Sequence, residues 1–227
     1  GMYFAKQDQP PPVATSGSAG SSYAGGFKAE GEAAEAVKAG VASGNIKAVA
    51  GPAGNAVMVV KDGESIQEAV KRAVPGTTIQ ILPGTYHETV YIDKDGIRLI
   101  GVIEEGRRAV LDGQGKLNDA ILYSGNNVVV ENLTITKYKG NGIMSQAGNN
   151  FEIRNNLIVD TGVYGIFPQL GQNGVVEHNV VSGIEDAAIY VGMSDNIHVA
   201  HNDVFDSVAG IEIENSRHAI VEHNYVH

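Results

Sequence analysis

Asn150-Phe151-Glu152-Ile153-Arg154-Asn155-Asn156, Asn173-Gly174-Val175-Val176-Glu177-His178-Asn179 and Asn196-Ile197-His198-Val199-Ala200-His201-Asn202 repeat one pattern at a step of 23 residues. Asn127 leads the first asparagine column. The second column extends from Asn132 through Asn156, Asn179 and Asn202 to Asn224, at steps of 24, 23, 23 and 22. A third column pairs Gly142-Ile143, Gly165-Ile166, Ala188-Ile189 and Gly210-Ile211. Each segment between the columns is too short for a helix and too isolated for a hairpin, and turn residues fall at a constant phase. Stacking successive copies about 4.8 Å apart satisfies this pattern, because each strand then pairs in parallel with its copy above and below. Isoleucine and valine pointing inward would form continuous apolar columns. Asparagines at one turn would stack into a ladder of amide hydrogen bonds. A leucine-rich repeat of similar length would need a leucine-dominated consensus, which is lacking. The expected fold is therefore all-β, a single-stranded parallel β-helix, right-handed by the general rule for parallel crossovers.

Upstream of the repeat, Val57-Met58-Val59-Val60 reads as a strand. Asp62-Gly63-Glu64-Ser65 then leads into Ile66, Ala69, Val70 and Ala73 at helical spacing, and Pro75-Gly76 ends that helix. A helix over about 64–74 would cap the front of the coil, where unpaired backbone and apolar side chains need a cover. Residues 1–55 are rich in Pro, Gly, Ser and Ala and read as a low-complexity, mostly disordered leader or tether, with a short helix over 28–42. The β-helix is expected over 56–227. Tyr225-Val226-His227 begins a new rung with no closing cap, so the natural protein is expected to continue, or another chain to cover this end.

The formal net charge of −10 and the lack of clustered Lys and Arg argue against nucleic acid or anionic lipid as partner. The same charge disfavours an anionic polysaccharide unless a cation such as Ca2+ bridges the two. With no cysteine, disulfides, thiolate metal sites and cysteine nucleophiles are excluded. No apolar run reaches the roughly 18 residues of a membrane-spanning helix. The first residues lack a signal-peptide layout.

Gly63-Glu64-Ser65-Ile66-Gln67-Glu68-Ala69, Pro75-Gly76 and Leu82-Pro83-Gly84-Thr85-Tyr86 together resemble the front of pectate-lyase-like β-helix proteins. The order Tyr164-Gly165-Ile166-Phe167-Pro168, Ala188-Ile189-Tyr190-Val191-Gly192-Met193-Ser194 and Val208-Ala209-Gly210-Ile211-Glu212-Ile213-Glu214-Asn215-Ser216 resembles an uncharacterised bacterial family of parallel β-helix repeat proteins. That resemblance covers the chain from about Val57. It implies a secreted, periplasmic or outer-surface location and a protein that binds or processes polysaccharide as a lyase, epimerase or hydrolase. A noncatalytic scaffold for a protein partner is the alternative. Alginate C5-epimerases carry Tyr-Gly-Phe-Asp-Pro-His at a similar rung. Here Phe167 and Gln169 stand in place of the Asp and His, which puts that chemistry in doubt.

Strand alternation places Ile143, Ile166, Ile189 and Ile211 inward and Met144, Phe167, Tyr190 and Glu212 outward. Phe167 and Tyr190 would form an exposed platform for sugar rings, with Arg217 as a nearby cation; cover for the sheet is the plainer role of the rings. Tyr164, Asp186, Glu212 and His201 are the candidate catalytic groups. Paired carboxylates could serve as acid and base in glycoside hydrolysis, and Tyr164 or His201 as base in a lyase or epimerase. Glu185, Asp186, Glu212 and Glu214 could equally be a solvated acidic face, or hold Ca2+ through oxygen ligands. No metal ligand set is assigned. Lys137, Lys139, Arg154 and Arg217 are the few cations of the rungs. His178, His201 and His223 form a column of their own, read as a turn position that Asn155 fills one rung earlier.

Overall fold

The computed structural model describes residues 56–227 and three short strands before them, Tyr3–Phe4, Gly25–Phe27 and Ala48–Ala50. Apart from those strands, the leader expected over 1–55 and its helix over 28–42 lie outside the described residues. From Ala56 the chain winds into a parallel β-helix of about seven turns with one helix. Each full rung presents three faces. The first face stacks Ala56–Val60, Thr78–Ile81, Arg98–Val102, Val129–Glu131, Glu152–Arg154, Gln172–Glu177, Asp195–Ala200 and Ile220–Glu222. The second stacks Gly84–Tyr86, Ala109–Asp112, Leu133–Thr136 and Leu157–Val159, then the leading halves of Val180–Gly192 and Asp203–Glu214. The third stacks Val90–Ile92, Ile121–Tyr123, Ile143–Ser145 and Ile166–Phe167, then the trailing halves of the same two long strands.

The register matches the repeat. Ile121, Ile143, Ile166, Ile189 and Ile211 pair in sequence along the third face and are buried in the one large core. At the turn from first to second face, the amides of Asn156, Asn179 and Asn202 donate to the side-chain oxygens of Asn179, Asn202 and Asn224 at 3.1, 3.1 and 3.0 Å. Each of those acceptors also takes the backbone N–H of the preceding ladder residue at 3.0 Å. Buried polar atoms are thereby satisfied by their own copies one rung away. The other asparagine column, Asn127, Asn150, Asn173 and Asn196, has φ between 56° and 58°. Asparagine tolerates this left-handed conformation better than most side chains.

The histidine column follows the same logic. His178, His201 and His223 have φ of 55°, 55° and 54°, and Asn155 has 55°, so the turn position that Asn155 fills is the one they occupy. Their rings stack in parallel with centroids 5.0 and 5.3 Å apart.

The capping helix spans Ile66–Arg72 and buries Ile66, Ala69 and Val70 against the first rungs. Ser65 caps its start by accepting from the Glu68 N–H at 3.1 Å. The Gln67 side chain accepts from the Tyr91 N–H at 2.6 Å, so it meets backbone that no strand of the coil covers.

Candidate functional site

The outward column of the third face differs from expectation in one respect. Met144, Phe167, Tyr190 and Glu212 do point away from the coil axis, in register with one another. They are not exposed: Phe167 is 0% accessible, and Met144, Tyr190 and Glu212 are each 1%. Leu122, Met144, Tyr164, Phe167, Ala187, Tyr190 and Ala209 form a second apolar cluster outside the coil. Tyr164, from the turn before the third face, folds over its neighbours. Its ring stacks on Tyr190 at 4.6 Å between centroids and meets Phe167 edge-on at 4.9 Å. The expected sugar platform of Phe167 and Tyr190 is therefore corrected to a packed aromatic core, because three rings bury more apolar surface on one another than they would in water. Tyr91 alone in this column keeps substantial exposure, at 38%.

The expected catalytic set is split. Tyr164, Asp186 and Glu212 come together. Burial, followed by the negative charges of Asp186, Glu212 and Glu214, pushes the Tyr164 phenol well above its ordinary range. A phenol so placed is a hydrogen-bond donor at neutral pH and no base. The Tyr190 hydroxyl donates to the Glu214 carboxylate, which is itself buried. Asp186 is half-buried, at a register shift between Ile184 and Ala187 inside one long strand rather than on an open turn. His201 lies exposed in the imidazole stack at the turn between first and second faces, and Arg217 lies exposed beyond the end of the third face, its backbone paired in parallel with that of Asp195. Arg154 is engaged on the outside of the first face, held by Glu177 at 2.6 Å and Glu152 at 2.9 Å. Among the described residues, no three of His, Asp or Glu converge to hold a metal ion.

A groove of about 600 Å³ lies along the turns between second and third faces. Successive rungs contribute Gly115, then Lys137, Tyr138 and Lys139, then Asp160, Thr161 and Gly162, then Gly183 and Glu185. Glu185 adjoins Asp186, and Gly162 precedes Val163 and Tyr164, so the groove ends beside the aromatic cluster. Backbone bonds from Gly162 to Tyr138 and from Glu185 to Thr161, at 3.0 and 3.3 Å, set this spacing rung by rung. At Gly162 a Cβ would lie 1.9 Å from the Lys139 carbonyl oxygen, so the stacked backbone leaves no room for a side chain there. Strand alternation does not reveal the groove, which is built from turns. The signal in the sequence was positional: Lys137, Asp160 and Gly183 recur at steps of 23 and all have positive φ.

The family model described as right handed beta helix region matches residues 114–227. Among solved structures, an alginate lyase from Paenibacillus sp. str. FPU-7 is similar at a TM-score of 0.56 and 16% identity, over 75% of this chain and 76% of that one. The A-module of the Azotobacter vinelandii mannuronan C-5 epimerase AlgE6 follows at a TM-score of 0.44 and 10% identity, over 85% of this chain and 70% of that one. That of AlgE4 follows at 0.33 and 10%, over 88% and 76%. No curated protein matches. At these identities the structural likeness speaks to fold alone. With half its length matched by the family model, and that half wound as the stacked rungs demand, the chain belongs to the right-handed beta helix family.

Proposed function

We propose that this protein binds a polysaccharide outside the cytoplasm, along the groove between second and third faces, and acts on it at the end where Asp186 and Tyr164 stand. The observation that carries this reading is the shape of the groove. It runs across successive rungs, parallel to the coil axis, and offers two lysines on one rung, a carboxylate and a hydroxyl on the next, and a carboxylate on the one after. A chain molecule with a regular repeat suits a protein surface with a regular repeat. The alginate lyase named above shares the fold. Asp186 is the half-buried carboxylate nearest in sequence to the groove lining, and Tyr164 a donor beside it. Among the described residues, no helix is long and apolar enough to cross a membrane.

The test is retention and turnover on a panel of acidic and neutral polysaccharides, with calcium and with chelator. Unsaturated ends, reducing ends and C5 inversion would be read separately. Turnover abolished by Asp186→Asn supports the reading in full. Retention without turnover keeps the binding site and removes the chemistry. The calcium arm asks whether a cation bridges polymer and acidic wall. A second reading, a scaffold for a protein partner, is favoured by Leu170 and Val208, apolar side chains that are 53% and 81% exposed. It gains if no polysaccharide is retained.

A further inference from the structure

We infer that the groove selects anionic glycans, with Lys137 and Lys139 reading the acidic group of one sugar unit. This inference rests on the reading that the groove takes a polysaccharide. The lysines stand two residues apart on one rung, both exposed, and both line the groove. Neither makes an ion pair among the described residues. Among the other cations around the coil, several are engaged: Lys71 with Glu68, Arg107 with Glu104, Arg154 with three glutamates. The Lys94 ammonium donates to three backbone carbonyls, and the Arg108 guanidinium to two. Among the described residues of a chain of net charge −10, two ammonium groups without an ion pair thus line one rung of the groove.

The opposite end of the groove is acidic. Asp160, Thr161 and Glu185 follow on the next two rungs. Their oxygens accept from sugar hydroxyls and repel an acidic group. Rungs about 4.8 Å apart match the advance of one sugar unit along an extended chain. The acidic group of one unit is therefore drawn to the lysine rung, while the hydroxyl-bearing edge of its neighbour, and not its acidic group, faces Asp160, Thr161 and Glu185, which gives the bound chain a direction. The glycines at 115, 162 and 183 keep the floor free of side chains. The ammonium groups are compact point charges, suited to a carboxylate or a sulfate.

The experiment measures affinity of the full chain for alginate, carboxyl-reduced alginate and dextran sulfate, at low and high salt. The proteins are wild type, the Lys137→Gln/Lys139→Gln double variant, and a Lys61→Gln control. Expected are alginate binding that weakens with salt, about tenfold weaker binding by the double variant, and no change in the control. Dextran sulfate binding that falls equally in the double variant extends the site to sulfate; sulfate binding that does not fall limits it to carboxylate. If wild type and double variant bind alginate alike, or carboxyl-reduced alginate is bound equally well, the charge selection is overturned and the polysaccharide reading survives. If wild type retains no glycan, both fall. Because both lysines are exposed, an unchanged thermal midpoint shows that the double variant is folded.

Discussion

Glu88 and Lys94 hold opposite ends of the capping helix. The Glu88 carboxylate accepts from the Gln67 N–H at 2.8 Å, the Ile66 N–H at 3.1 Å and the Ser65 hydroxyl at 3.2 Å. The Lys94 ammonium donates to the carbonyls of Val70, Lys71 and Ala73 at 2.8, 2.8 and 2.7 Å. An anion at the N-terminus and a cation at the C-terminus satisfy the orphan backbone groups that a seven-residue helix could not sustain alone. Lys94→Met is therefore expected to lower stability by about 1.5–3 kcal/mol, read as a shifted urea midpoint at constant slope. A fall below about 0.5 kcal/mol would show that the helix docks by its apolar face only.

Glu88 also sets a pH dependence. Burial raises the Glu88 carboxyl above its ordinary 4.5, outweighing the donors that lower it. Between 4.5 and the raised value the folded chain keeps a proton that the unfolded chain has lost. Stability is then fully present below that interval and falls as pH rises through it. Glu131, raised mainly by burial, adds a slope of the same sign. Glu88→Gln should flatten the profile of urea midpoint against pH, and an unchanged profile would remove Glu88 as its source.

Asn179 sits mid-ladder, buried, with its side chain bonded to Asn156, Asn202 and the Ile153 carbonyl. Asn179→Ala leaves those groups unpaired in the interior and should cost about 3 kcal/mol. Asn224→Ala, at the last and part-exposed step, should cost about 1 kcal/mol. Equal losses at both sites would contradict a ladder whose strength depends on burial.

Gly162→Ala forces a Cβ onto the Lys139 carbonyl oxygen. Backbone cannot yield there without disturbing the stacking of two rungs, so a loss of at least about 1–3 kcal/mol is expected in thermal unfolding. A neutral result would show that the turn has slack, and that the groove floor is not set by stacking.

Tyr190 separates packing from polar contact. Tyr190→Ala opens the aromatic cluster and should cost about 3–5 kcal/mol. Tyr190→Phe keeps the ring, removes the donor to Glu214, and should cost about 1–3 kcal/mol by leaving that buried carboxylate short of a partner. Activity lost in Tyr190→Ala would then reflect a disrupted fold rather than a missing sugar contact. A stable Tyr190→Ala chain would reopen the exposed-platform reading.

The Tyr164 phenol, held up by burial and three carboxylates, should stay protonated through the alkaline range in which free tyrosine ionises. Phenolate absorbance of the native chain should rise equally in wild type and Tyr164→Phe until unfolding sets in. An early extra rise in wild type would make Tyr164 available as a base.

The sequence by itself determined the coil. Its rung length, the inward isoleucine column, the asparagine ladder and a capping helix within about 64–74 were all legible, because each depends on spacing along the chain and stacking converts spacing into contact. The turn role of His178, His201 and His223 was legible for the same reason. Only the tertiary structure decided what meets solvent. Alternation told correctly that Phe167, Tyr190 and Glu212 point outward, yet whether an outward side chain is wet depends on what lies over it. Here Tyr164 arrives from a turn with its own φ and ψ, and no period predicts where its ring lands. The groove of Lys137, Lys139, Asp160 and Glu185 was hidden for a related reason: its walls come from turns on successive rungs, which approach one another only when the stack has formed.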